Sequence, residues 1–340
     1  MKAPTPSTPG QIQPNPNQEL QSLFISYWEM MAVRAACQLD LFDLVAEGAK
    51  TPTALAHRTG VPEERLCHLL EVLLQKDYLT QGSEGGLFRL SAKGWLLTDK
   101  EEGSMKAACI MWGGEHVQAW QGLSYSLRNG IPWFKNYYGK PFFNFLEEHP
   151  EKLKEYHQAI SYYARSDYQI LLSGEVDWDN KTVLDVGGGT GTILSLILDH
   201  FPQAQCHLFD LPNVIEAVID PRIHCHKGDF FKSINVGIEP DVVILGRILH
   251  DWPDPEAKTI LSNVRQILPK DGRLYILENM ADELVDGGHL LSLNLLAVCG
   301  SQERTKQQYR ELLVSCGFAL EEPNNKNLKV NTQLLVARPQ

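Results

Sequence analysis

The sequence predicts an α/β protein: a mostly parallel sheet in the C-terminal half, preceded by a smaller helical domain. Three observations carry this. From Lys181 onward, short apolar runs alternate with helical patterns, the signature of a parallel sheet. A glycine-rich turn follows the first of those runs and opens a helix. Before residue 106 the apolar residues recur at helical spacing and then give way to two short strand-like runs. With 340 residues the chain has room for about two domains.

The first eighteen residues form the predicted leader. They are proline-rich and carry no apolar core, so they read as disordered and not as a signal peptide. From Glu19 to Val45 the spacing of Leu20, Leu23, Phe24, Tyr27, Met31 and Ala35 predicts one helix. Thr51 and Pro52 supply an N-cap and a first helical proline. A turn at Thr59-Gly60-Val61-Pro62 precedes a helix with Leu66, Leu69, Leu70 and Leu73 on one face. Strands at Tyr78–Thr80 and Leu87–Leu90 flank a hairpin from Gly82 to Gly86. Helix, turn, helix and β-hairpin make a winged helix, assigned to residues 19–105. Its second helix is slightly acidic, with Glu63, Glu64 and Glu71 against Arg65 and Lys76, which is wrong for holding phosphates. A structural, dimerising role is expected instead. The apolar face of the first helix predicts a homodimer.

Residues 106–175 are expected to form a helical linker and pocket region. Ten of the 34 residues from 112 to 145 are aromatic, suited either to core or to the wall of a pocket for a flat substrate. The boundary with the last domain, residues 176–340, is placed near the helix around Leu153–Ser173. Strands are predicted at Thr182–Val186, Gln205–Asp210, Ile223–Lys227, Asp241–Leu245, Gly272–Leu277, Phe318–Glu321 and Thr332–Ala337.

Composition narrows the function classes. A formal net charge of −11 repels nucleic acid and anionic lipid. Seven scattered cysteines, without a C-x-x-C pair, suggest neither a disulfide framework nor a zinc site. The longest apolar stretch, Leu290 to Cys299, is far too short to span a bilayer. A reducing, cytoplasmic setting is expected.

Two constellations carry the chemistry. In Val183-Leu184-Asp185-Val186-Gly187-Gly188-Gly189-Thr190-Gly191, a strand runs into glycines that let a ligand approach the backbone. Asp210 ends the next strand, where a carboxylate accepts both hydroxyls of a ribose. The spacing is neither the dinucleotide fingerprint nor a P-loop, which points to a nucleoside cofactor such as S-adenosylmethionine. Gly228-Asp229-Phe230 follows the third strand, with Asp229 and Phe230 suited either to an adenine or to a capping turn. His250, after the fourth strand, shares the sheet edge with Glu278, while Glu303 precedes a helix capped by Thr305 and Gln308. A histidine with two carboxylates is a candidate general base with orienting partners. His224 and His226 form a His-x-His pair without further partners and read as an alternating strand face.

The runs VLDVGGGTG, LFDLP, GDFF, ILHDWPD and GSQERT, in this order, resemble the small-molecule O-methyltransferases of the caffeate, flavonoid, acetylserotonin and bacterial polyketide type. The resemblance spans nearly the whole chain. It implies a Rossmann-like, S-adenosylmethionine-dependent methyltransferase domain with a seven-stranded sheet, behind a winged-helix dimerisation domain. It further implies that Gly187, Gly189, Asp210, Gly228, Asp229, Phe230 and Arg247 bind the cofactor. His250 would be the general base, flanked by Glu278 and Glu303, and Asn294 would touch an aromatic acceptor; no metal is needed. Val298-Cys299-Gly300-Ser301 departs from the Asn-Pro-Gly-Gly of plant members, so plant phenolic specificity does not transfer. N- or C-methylation is the nearest rival, and a cofactor-sensing winged-helix regulator the more remote one.

Overall fold

The computed structural model describes residues 15–82, 86–101, 103–172, 176, 178–284, 288–321 and 332–340. The first fourteen residues of the expected leader and the hairpin tip lie outside them. The chain divides into two compact units, Met1–Gly113 and Gly114–Gln340.

In the first unit a helix runs from Pro16 to Gln38, capped by the Asn15 side chain, so residues 16–18 are helical and not part of a disordered leader. The single helix expected to reach Val45 is broken. Leu39 ends it, Asp40 takes a left-handed backbone (φ 55°), and a second helix covers Leu41–Ala46. Asp is one of the few residues that tolerate this conformation. Lys106 Nζ ties the break to the rest of the unit, within 2.8 Å of Asp40 and 2.7 Å of both Asp43 and Asp99. Helices Pro52–Thr59 and Glu63–Gln75 follow, the first with the expected Thr51 cap. Strands β1 (Leu79–Gln81) and β2 (Phe88–Leu90) pair antiparallel, completing the wing. Leu66, Leu70 and Leu73 turn inward onto Phe42, Leu55, Leu79 and Phe88.

The second unit is a seven-stranded sheet of β3 (Thr182–Val186), β4 (Gln205–Asp210), β5 (His224–Lys227), β6 (Val242–Gly246), β7 (Arg273–Asn279), β8 (Phe318–Glu321) and β9 (Thr332–Pro339). Their order across the sheet is β5-β4-β3-β6-β7-β9-β8, parallel except that β9 runs antiparallel to both neighbours. Strands predicted from the sequence all occur, with small shifts at their ends; β7 runs two residues further, drawing Glu278 and Asn279 into the sheet. The chain leaves β3 toward β5, then returns to start β6 on the other side of β3. Open α/β sheets bind ligands at the carboxyl ends of strands beside such a reversal.

Residues 106–175 do not stand apart as a linker. Lys106–Trp112 is a helix of the first unit, whereas the helices from Glu115 to Asp167 belong to the second. Most of the aromatic stretch falls in the second unit. Phe134, Phe142 and Phe145 pack with Ala297 and Val298 as core. Phe143, partly buried against that cluster, also stacks on Trp252, with ring centroids 5.3 Å apart.

Candidate active site

The turn after β3 explains its glycines. Gly187 has φ 75° and Gly189 φ 61°, a backbone region that side chains disfavour. A Cβ on Gly187 would stand 2.7 Å from Ile248 Cδ1, and one on Gly189 would stand 3.1 Å from His157 Nδ1. Asp210 closes the next strand and is nearly buried. The N–H of Gly189 donates to its Oδ2 (2.9 Å) and that of Leu211 to its Oδ1 (2.7 Å), which aims the carboxylate along the turn. Burial raises its pKa to about 6, against the pull of those two backbone donors.

Other expected cofactor residues separate by role. Gly228 leaves room for the Phe209 ring and donates its N–H to the Asp210 carbonyl. Asp229 Oδ1 accepts from the Phe231 N–H (2.9 Å), the capping-turn arrangement, with Lys232 3.4 Å from its other oxygen. Asn263 donates to the Phe230 carbonyl (2.7 Å), fixing this turn to the helix Asp254–Ile267. Arg247 holds a left-handed backbone (φ 57°), a strained geometry of the kind that collects at functional sites. Its guanidinium lies 3.7 Å from Asp167.

Sequence reasoning missed His157. It comes from the helix Pro150–Asp167, and its ring covers Gly189. Burial pushes its pKa down to about 4, so the imidazole is neutral. Its buried Nε2 has no hydrogen-bond partner among the described residues. A residue this far from the glycine motif carries no local signal.

His250, Glu278 and Glu303 are brought together and buried. Glu303 Oε1 lies 3.1 Å from His250 Nδ1 and also accepts from Asn279 Nδ2 (3.0 Å), which Thr332 orients in turn. Glu278 Oε1 accepts from the backbone N–H of Ile248 (3.0 Å) and His250 (3.2 Å), so it anchors the histidine's main chain. Its Oε2 is 3.5 Å from Nδ1. With Nδ1 beside Glu303, Nε2 lies 3.7 Å from Asp251 Oδ1. Burial opposes protonation of His250, yet Glu278, Glu303 and Asp251 outweigh it and raise the pKa to about 9. Burial also lifts Glu278 to about 7, while the adjacent imidazolium holds Glu303 below the usual carboxylate range.

Arg304, one position beyond Glu303, locks the histidine loop from below. Its guanidinium donates to the carbonyls of Leu249 and Trp252, each at 2.7 Å, and to Asp254. Asn294 is nearly buried, and its Oδ1 accepts from the Trp120 indole N–H (2.8 Å).

These parts fit a nucleoside cofactor beside a base. The positive-φ turn leaves its backbone open, Asp210 offers a carboxylate at the strand end, and the His157 ring lies against the same turn through its Nδ1 edge.

Comparison with known proteins agrees. A family model described as an O-methyltransferase domain matches residues 120–319, and one described as an O-methyltransferase dimerisation domain matches residues 21–100. The phenazine O-methyltransferase PhzM of Lysobacter antibioticus is 32% identical over 312 residues, covering 89% of this chain and 91% of that protein. The 8-amino-8-demethylriboflavin N,N-dimethyltransferase of Streptomyces davaonensis is 29% identical, covering 89% and 88%. The crystal structure of LaPhzM superposes with a TM-score of 0.85 at 31% identity, covering 95% of this chain and 99% of that one. With both models matched in order along a sheet of this topology, the chain belongs to the family of S-adenosylmethionine-dependent O-methyltransferases.

Proposed function

We propose that the enzyme transfers a methyl group to a hydroxyl of an aromatic or polyketide-like small molecule, with His250 as general base. The observation that carries this is the buried His250 imidazole, fixed through Nδ1 by Glu303 and through its main chain by Glu278, with Nε2 beside Asp251. In this reading Gly187, Gly189 and Gly228 shape the cofactor's bed, and Asp210 takes the ribose hydroxyls. Asp229 and Phe230 hold the adenine, and Arg247 lies beside the cofactor. S-adenosylmethionine supplies a methyl already activated on a sulfonium, so the protein's tasks are positioning and deprotonation.

The pKa values suit the second task. A phenol near pKa 10 and an imidazole at about 9 exchange a proton with little free-energy cost. At neutral pH most of His250 is imidazolium, so the active fraction grows as pH rises. The Phe143–Trp252 stack supplies a flat apolar wall, and the Trp120–Asn294 bond holds a polar group in the helix Gly288–Val298. N-methylation is the second reading, favoured by the N,N-dimethyltransferase among the relatives.

A methyl-transfer screen over phenols, phenazines, arylamines and quinones, with mass spectrometry locating the new methyl, decides between them. O-methyl products are expected. Products carrying methyl only on nitrogen would overturn the hydroxyl assignment.

We also propose that the chain works as a homodimer through the helix Pro16–Gln38. Phe24 and Trp28 on it are 62% and 67% exposed in the single chain, with Leu20, Leu23 and Tyr27 alongside. Light scattering is expected to give twice the chain mass, falling to one chain mass when Phe24 and Trp28 are changed to glutamate. A monomeric wild-type protein would refute this assembly.

A further inference from the structure

We propose that Cys37 and Cys109 form a peroxide-sensitive thiol pair, in which Cys109 is oxidised first and Cys37 then closes a disulfide with it. Cys37 lies in the last turn of the helix Pro16–Gln38, and Cys109 in the middle of the helix Lys106–Trp112. Their separation along the chain gives no sign of a pairing. The fold packs them into one apolar cluster, where the two thiols hydrogen-bond to each other. Arg34, one turn before Cys37, pins the two helices together. Its Nε donates to the Ile110 carbonyl (3.1 Å), and a Cβ on Gly113 would stand 2.4 Å from its Cδ. Both cysteines belong to the same compact unit, and both are free thiols.

The two thiols differ in what they are fitted for. Cys37 is 1% exposed and Cys109 partly exposed, so an oxidant from solvent meets Cys109 first. The bond to its neighbour and burial both raise the pKa of Cys37, which keeps its proton and donates it to the Cys109 sulfur. That same bond lowers the pKa of Cys109; burial opposes this, and the Arg34 guanidinium adds to the lowering. A partly exposed thiol beside a cation is the setting in which the reactive thiolate forms. The Cys109 thiolate attacks the O–O bond of the peroxide and becomes a sulfenic acid, and the hydroxide released takes up the thiol proton as water. Cys37 then gives up its proton and attacks the Cys109 sulfur, the S–O bond breaks, and a second water leaves. The two thiols lose two electrons and two protons, and one peroxide becomes two waters.

Mass spectrometry tests the pair on the full chain, treated with a modest excess of hydrogen peroxide and alkylated before digestion. A peptide cross-linked from Cys37 to Cys109 within one chain is expected, and dithiothreitol should remove it. Titratable thiols in the denatured chain should fall by two from seven. Cys37→Ala should stop the reaction at the Cys109 sulfenic acid, trapped there by dimedone. Cys109→Ser should give neither the cross-link nor an adduct at Cys37. Circular dichroism checks the fold of each variant, and the wild-type map depends on neither. Failure of the cross-link to form, with Cys37 and Cys109 still reduced while the exposed Cys225 is oxidised, would overturn the proposal. So would a bond from either residue to another cysteine, or one that joins only two separate chains.

Discussion

Replacing His250 with alanine is expected to reduce kcat by about 10²–10⁴-fold, the range for a lost proton acceptor. Cofactor affinity should stay near wild type, because the imidazole is held by Glu303 through Nδ1 and lies beside Asp251 through Nε2, and neither nitrogen contacts the glycine turn. The pH profile is the sharper readout. His250 is charged below about pH 9 in the free protein and neutral above it, so kcat/KM should climb with pH and level off as that group titrates. His250→Ala should flatten the climb. Glu303→Gln should shift it to lower pH, since removing a neighbouring carboxylate withdraws support from the imidazolium. Either glutamate change should cost less than additively when combined with His250→Ala, as groups acting as a unit do. Near-native turnover by His250→Ala would mean that the acceptor needs no base, which would move the assignment toward an amine.

Asp210→Ala should weaken S-adenosylmethionine binding by about 1.5–3 kcal/mol, the range for losing a charged hydrogen-bond partner. Calorimetry gives this directly. The pKa of Asp210 adds a sign: burial raises it to about 6, so protonation below that pH removes an acceptor for the ribose hydroxyls. Affinity should therefore fall by about tenfold between neutral pH and pH 5 in the wild type, one decade per unit below the pKa. In Asp210→Asn this dependence should disappear. Unchanged affinity in Asp210→Ala would remove Asp210 from the cofactor site while leaving the family assignment standing on the matched domains.

Much of this protein is written locally. The Thr51 cap, the Thr305–Gln308 capping box and the strand into Gly187 are set by neighbours a few residues apart, and the structure has each of them. The same holds for β3, β4 and β8, whose ends match the sequence pattern residue for residue. Where the accompanying contacts are distant, the sequence misleads. The apolar period from Glu19 to Val45 is continuous, and nothing nearby announces the left-handed Asp40. At that break Lys106, more than sixty residues away, gathers Asp40, Asp43 and Asp99 around one ammonium.

The sequence by itself determined the α/β class, the glycine turn, Asp210 at its strand end, and the three residues His250, Glu278 and Glu303. These follow from periodicity, from capping chemistry and from motifs within one strand–turn unit. Only the tertiary structure decided which glutamate touches the imidazole and which holds its main chain, because that depends on β7 packing beside β6. It alone put His157 over Gly189, Arg304 beneath the histidine loop, and Trp120 on Asn294, 174 positions along the chain. It also turned an unremarkable His-x-His pair into a cluster of three by setting β4 alongside β5. Contacts of this kind form when hydrophobic burial closes the sheet and its helices, and a pairing made across the fold leaves no periodicity in either of the segments it joins.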